Sequence, residues 1–321
     1  MASTTVQIQS GETNSLRPLN IFRDLPQVAD LIELCFSATM DEDGQSYLQQ
    51  MRSAGGDTSF LQWANSASSV PLSGIVWEEN GKIVGNVSLV AHNYKGRKIT
   101  LIANVATHPD YRRRGIGRAL TERAVLQARQ KDAKELWLQV RDDNPTAIKI
   151  YKDLGFVERA RRTTYQTYPN SFRTSTTNDI SVTKMKPFFW LLQRDWLHRA
   201  HPDELSWYWH WDWNRLGPGL QMWLHRFFAE FNVRQWAAIK NGKLLSTVSW
   251  LGTTRLTELL WVATPPDGNA AGLRSALEAA CRELANQRRL TIEYPAGEMT
   301  EAIQSAGFKP QRTLIWMRAT S

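Results

Sequence analysis

This chain carries the same plan twice, and that repetition limits what it can fold into. Val105-Ala106-Thr107-His108-Pro109-Asp110 returns as Val262-Ala263-Thr264-Pro265-Pro266-Asp267, an offset of 157 (262 − 105). Arg118-Ala119-Leu120 returns at the same offset as Ser275-Ala276-Leu277, and Leu154-Gly155-Phe156 is echoed by Ala306-Gly307-Phe308. Each copy also holds two apolar runs around an Asn-Gly-Lys turn, at Asn80-Gly81-Lys82 and Asn241-Gly242-Lys243. Asn-Gly between apolar runs is a strong hairpin signal, because both residues accept the left-handed backbone of a tight turn. Order, spacing and turn residues agree, so the chain reads as a tandem repeat of one mixed α/β unit. Its 321 residues suit two domains. The expected division is a disordered polar leader over 1–16, a first domain over 17–185 and a Trp-rich second domain over 186–321.

Within the first copy, Leu19–Phe22 is expected as a short strand. Leu25–Phe36 reads as a helix, with Val28, Leu31, Ile32 and Cys35 at helical spacing. Residues 37–73 are polar and read as an irregular loop. The hairpin over 74–90 leads to an apolar strand, Ile99–Thr107. A helix follows, with Ile116, Ala119, Leu120, Ala124 and Ala128 on one face, and then a strand, Leu136–Val140. Asn144-Pro145 opens a second helix, Asn as its cap and Pro at its first position, and Gly155 closes it. Arg161–Tyr168 and Ile180–Met185 are expected to form a final strand pair. In the second copy Trp207, Trp209, Trp211 and Trp213 alternate with other residues, which suggests an extended segment whose tryptophan face packs between the repeats.

Net charge is +8, which suits an anionic ligand. The two cysteines, Cys35 and Cys281, are far apart and form neither a disulfide framework nor a metal spacing. His198, His201, His210 and His225 also lack ligand spacing, so no metal is expected. The first residues lack a signal-peptide apolar core, and no apolar run is as long as a membrane span. A soluble cytoplasmic protein without membrane contact is the expectation.

The chemistry is concentrated in one copy. Arg112-Arg113-Arg114-Gly115-Ile116-Gly117 lies between strand and helix. Two glycines there allow a sharp turn and close backbone approach. Several N–H groups then converge at the positive end of a helix, a nest suited to pyrophosphate, and the arginines add phosphate-pairing charge. At the 157 offset Arg112 becomes Asn269, Gly115 is kept as Gly272 and Gly117 becomes Arg274. The second copy is therefore expected to keep the fold without the site.

These residues resemble the GNAT superfamily of N-acetyltransferases. The resemblance rests on Asn104–Asp110 running into Arg112-x-x-Gly115-x-Gly117, on Asn144-Pro145 through Tyr151 to Leu154-Gly155-Phe156, and on the strand–helix order. Leu136-Trp137-Leu138-Gln139-Val140-Arg141 through Tyr151 to Arg161-Arg162 and Tyr165 is similar to the ribosomal-protein N-terminal acetyltransferases. The resemblance implies two tandem GNAT-like α/β units, each a mixed, mostly antiparallel central sheet flanked by helices. It implies acetyl-CoA as cosubstrate, held at Arg112, Arg113, Arg114, Gly115, Ile116, Gly117 and Arg118. Main-chain groups of Val105, Ala106 and Thr107, freed at a bulge, would meet the pantetheine arm and thioester, and Asn144 the CoA arm. An amine would attack the thioester directly, a backbone N–H near Val105 would stabilise the oxyanion, and Tyr151 would protonate the thiolate.

One departure matters. Gln139 stands where the ribosomal-protein enzymes carry a glutamate base, and the strand Ile99–Thr107 has no acid. That favours an acceptor of low pKa, such as a peptide N-terminus or a small amine. Glu33, Asp41–Asp43 or a water relay are the alternatives for a base. Three readings follow: an N-acetyltransferase, a CoA- or amine-binding regulatory protein without turnover, and, ranked lowest, a nucleic-acid binder. A homodimer stays open in each.

Overall fold

The computed structural model describes residues 16–37, 40, 42–53, 73–167, 179–209, 212–218, 232–252, 257–284 and 289–320. The expected leader lies outside these residues up to position 15, and Leu16 already begins a strand. The chain forms two compact units, one of residues 1–159 with 316–321 and the other of residues 160–315. The repeat boundary near 185 and the boundary between compact units are thus different places. Among the described residues no helix is long and apolar enough to cross a membrane.

The first unit contains β1 (Leu16–Pro18), α1 (Ile21–Phe36), α2 (Glu42–Ser53), β2 (Ser73–Glu79), β3 (Lys82–Tyr94), β4 (Arg97–Thr107), α3 (Ile116–Gln130), β5 (Glu135–Arg141) and α4 (Pro145–Asp153). Strands β1 to β5 follow in sheet order. All pairs are antiparallel except β4 with β5. The Asn80-Gly81 turn has φ of 51° and 76°, as the hairpin signal requires, and Lys95-Gly96 joins β3 to β4 in the same way. Leu25, Val28, Ala29 and Ile32 of α1 and Leu48 and Met51 of α2 pack on Val76, Ile83 and Ala106. Helix α3 lies close on Gly85, where a Cβ would meet Ile116 at 2.8 Å and Leu120 at 2.9 Å.

Two expectations fail here. Residues 19–22 are not a strand. Asn20 accepts from the Phe22 N–H at 3.1 Å and caps α1, so Ile21 and Phe22 lie in its first turn, with Pro26 tolerated inside the helix. The loop expected over 37–73 contains α2, which among the described residues buries Leu48 and Met51, too sparse a pattern to announce a helix.

The second unit takes β6 (Phe156–Gln166) from Ala160 onward, then β7 (Ser181–Lys184), α5 (Trp190–Ala200), β8 (Val233–Lys240), β9 (Lys243–Leu251), β10 (Thr257–Ala263), α6 (Ala270–Leu284), β11 (Arg289–Pro295), α7 (Thr300–Ser305) and β12 (Lys309–Ala319) up to Ile315. The expected pairing of 161–168 with 180–185 is not formed. β7 pairs with β8, taking the edge position that β1 holds in the first unit, and β6 pairs antiparallel with β11. The tryptophan segment is not extended either. Ser206–Trp209 is a helical turn and Trp213–Leu216 a 3-10 turn, with Trp207 and Trp213 buried; His210 and Trp211 lie outside the described residues.

The core of the second unit holds a polar cluster. The Arg162 guanidinium, 2% exposed, donates to the Ala200 carbonyl at 2.7 Å and to Glu293 Oε1 at 3.0 Å. It also lies 2.8 Å from His201 Nδ1 and 5.0 Å from the Trp209 ring. A guanidinium can only donate, so Nδ1 is the acceptor and the ring is neutral. Burial, with the adjacent Arg162 charge, holds the His201 imidazole well below its ordinary pKa. The unfolded chain therefore binds this proton first. Stability is full above about pH 6.5 and falls as pH drops, by up to about 1.4 kcal/mol per pH unit. The urea midpoint should decline from pH 7.5 to 5.5, and decline less in His201→Gln, which cannot titrate.

The first unit is completed by a stretch distant in sequence. β12 lies beside β5 in sheet order, and Trp316–Ser321 belong to this unit. Trp316 is fully buried, its ring 6.4 Å from that of Trp137. Arg318 stacks on Trp137 at 5.6 Å, and the Thr320 N–H donates to the Gly155 carbonyl at 2.9 Å. Trp316→Ala should cost about 3–5 kcal/mol in chemical denaturation, although it lies far along the chain from the rest of the unit.

Candidate active site

Strands β4 and β5 pair only from Ile99–Ile102 against Glu135–Leu138. Beyond that point they part. β4 continues along β3 through a bulge, where Asn104 and Val105 fall between the pairs Ser88–Ala103 and Asn86–Ala106. Asn104 has φ of 51°, the local backbone cost of that bulge. The arms of the opening are Ala103–Thr107 on one side and Gln139–Arg141 on the other. The structure thus places Val105, Ala106 and Thr107 at a parted strand end.

The nest stands at the same end of β4. Gly115 has φ of 78°, precedes α3 and offers no side chain to cap the first N–H groups of the helix. A Cβ on Gly115 would meet nothing within 4 Å, and one on Gly117 only Thr107 Oγ1 at 3.6 Å. Conformation requires the first glycine, and open space surrounds both. Arg113 is also left-handed, with φ of 63°.

The arginines differ in what they touch. Arg112 Nε donates to the Thr107 carbonyl at 3.4 Å, which also accepts from the Cys35 thiol at 3.4 Å. Arg114 pairs with Glu79 at 2.6 Å and stacks on Tyr111. Arg118 pairs with Glu122 and Asp153. Among the described residues Arg112 and Arg113 have no ion pair, so they carry the uncompensated charge of the nest.

Asn144 is exposed and caps α4, its Oδ1 accepting from the Ala147 N–H at 3.1 Å. Tyr151 is 6% exposed and packs edge-on to Phe156 at 6.2 Å. Burial pushes its hydroxyl up to about 12, so it holds its proton throughout the neutral range. Gln139 is half-buried on the β5 arm. Glu33 is ion-paired with Arg52, and the Asp41–Asp43 side chains lie outside the described residues.

Sequence reasoning passed over one cluster. Asn86 and Ser88 are fully buried on β3, with Asn104 of β4 and Tyr47 of α2 beside them. The signal was there: two polar residues at alternate positions of the apolar run Ile83–Val90, on a face that should be core.

The second unit repeats the opening but not the site. β10 and β11 pair from Thr257–Leu260 against Arg289–Ile292 and then part. Thr264 Oγ1 lies 3.0 Å from the Tyr294 hydroxyl, and Arg199 donates to the Thr264 and Pro265 carbonyls at 3.1 and 3.0 Å. At the start of α6, Asn269 Oδ1 accepts from the Gly272 N–H at 2.8 Å, where the first unit leaves its N–H groups open. Gly272 is required for packing, since its Cβ would lie 2.5 Å from Leu245 Cβ. Among the described residues no cluster of groups suits a metal ion.

Residues 28–156 match the Acetyltransferase (GNAT) family, and over this stretch the chain is similar to that family. The relatives are partial matches. The chain is 43% identical over 68 residues to the ribosomal protein bS18-alanine N-acetyltransferase of Escherichia coli K12, covering 21% of this chain and 45% of that protein. It is 39% identical over 89 residues to an uncharacterized N-acetyltransferase of Methanocaldococcus jannaschii, covering 26% and 38%. The chain thus spans less than half the length of either relative. A GCN5-related N-acetyltransferase from Sphaerobacter thermophilus has a similar fold, with a TM-score of 0.55, 15% identity and 95% coverage of both chains.

Asn144 has two separable roles to test. Asn144→Ala should cost about 1 kcal/mol through the lost cap, whereas Asn144→Asp, an equally good cap, should not. Thermal melting checks the cap, and CoA titration of the Asp variant reads the amide separately.

Proposed function

We propose that this protein transfers an acetyl group from acetyl-CoA to an amine. The observation that carries this reading is the coincidence, at one end of the first unit's sheet, of parted strands and an uncapped helix nest. The nest N–H groups of Arg113–Gly117, with Arg112, would hold the pyrophosphate, and the gap between β4 and β5 would take the pantetheine arm. The freed backbone at Val105 would receive the oxyanion.

Acetyl-CoA supplies the activated acyl group; the chain's residues orient it and manage protons. The amine nitrogen attacks the thioester carbon, forming C–N as C–S breaks. Tyr151 gives its proton to the leaving sulfur, and the surplus proton of the new amide nitrogen restores the phenol. Gln139 cannot take a proton, so the acceptor must arrive neutral or lose its proton elsewhere. That supports an α-amine or small low-pKa amine and argues against carrying over the ribosomal acceptor of the E. coli relative. The second unit, whose opening is bridged by its own side chains, is read as a non-catalytic partner of the first.

Calorimetry tests the cofactor site. Wild type should bind acetyl-CoA, and Gly117→Arg, which fills the nest without a Cβ clash, should weaken binding by more than about tenfold. Tyr151→Phe should keep that affinity and lower kcat about 100-fold or more in a thiol-release assay. Binding without thiol release from any amine would favour a regulatory CoA-binding protein instead.

A further inference from the structure

The polar cluster next to the β4 bulge has an orientation that the fold alone does not require. Asn86 Nδ2 donates to the Asn104 carbonyl at 3.0 Å and to Ser88 Oγ at 3.3 Å. A carbonyl can only accept, so this bond fixes the amide and turns Asn86 Oδ1 the other way. There, fully buried, Oδ1 has no partner among the described residues, and the buried Tyr47 hydroxyl faces only the Asn104 side chain. Tyr47 reaches the cluster from α2, with the Asn104 side chain as its polar neighbour, and burial keeps its hydroxyl protonated. Tyr47 and Asn104 are partly exposed, whereas Asn86 and Ser88 are fully buried. Asn104 directly precedes Val105, so the cluster adjoins the backbone assigned to the thioester.

We propose that Tyr47, Asn86 and Asn104 form the subsite that binds the acceptor's amino group, with Asn86 Oδ1 accepting one of its N–H bonds and the Tyr47 hydroxyl pairing with the nitrogen. The inference rests on the transferase reading above. All four side chains, Ser88 included, are uncharged. An ammonium would lose its hydration here and gain no carboxylate, so the subsite selects a neutral primary amine. The reference pKa values of an α-amine and a lysine side chain differ enough that their neutral fractions at pH 7.5 differ roughly 200-fold. The missing base and the neutral subsite are then one design: the acceptor is chosen already deprotonated.

The test is thiol release at saturating acetyl-CoA and pH 7.5, with glycinamide and Nα-acetyl-lysine amide as probes, and acetyl-CoA calorimetry on every variant. Wild type should prefer glycinamide by about 100-fold or more in kcat/KM. Tyr47→Phe should raise the glycinamide KM about tenfold with acetyl-CoA affinity unchanged. Asn86→Asp, which supplies a carboxylate, should narrow the preference at least about tenfold. If that variant fails to fold, Tyr47→Phe decides. An unchanged KM in Tyr47→Phe, or a loss of acetyl-CoA affinity in step with it, overturns the subsite. Acetyl-CoA binding by the wild type without acetylation of either probe also overturns it. A wild type that does not bind acetyl-CoA overturns the transferase reading itself.

Discussion

The parting of β4 from β5 after the Ile102–Leu138 pair is the constraint on which the first unit's candidate site depends. A parallel pair that stayed zipped would consume the backbone groups of both strands and leave no slot. The bulge keeps β4 attached to β3 while it leaves β5, and Asn104 accepts a left-handed backbone to allow this. The chain then turns through Gly115 and starts α3 at the same end of β4, with no side chain capping its first N–H groups. Slot and nest are therefore consequences of one local event at the end of β4.

The repeat supplies an internal control. The second unit has the same parted strands, yet Thr264, Tyr294 and Arg199 tie the arms together and Asn269 fills the helix end. The contrast is chemical rather than architectural. Where the first unit has a glycine in open space and an arginine without an acidic partner, the second has a packed glycine and a self-capping amide. A duplicated fold can thus keep its core while the corresponding groups are taken up by its own hydrogen bonding.

Much of this was legible in the sequence, because turns and caps are local. The Asn80-Gly81 hairpin, the Asn144-Pro145 cap and the Gly155 stop all stand as read. Helix α2 was not legible, since two buried residues make no periodicity. The partners of β6 and β7 were not legible either: strand exchange is decided by distant segments, and nothing within residues 161–168 names β11. The nest was readable as a motif. Glu79 as the partner of Arg114, and the cluster around Asn86, emerge only when the sheet registers are known.

The make-up of the first unit has a consequence for folding. It is assembled from two stretches that are distant in sequence, 1–159 and 316–321. Contacts between distant stretches must first close a long loop, and that slows folding. Until Trp316 reaches Trp137 the sheet is incomplete beside β5, and an open strand edge can pair with another chain. A change within the intervening residues 160–315 can therefore delay the first unit without touching it.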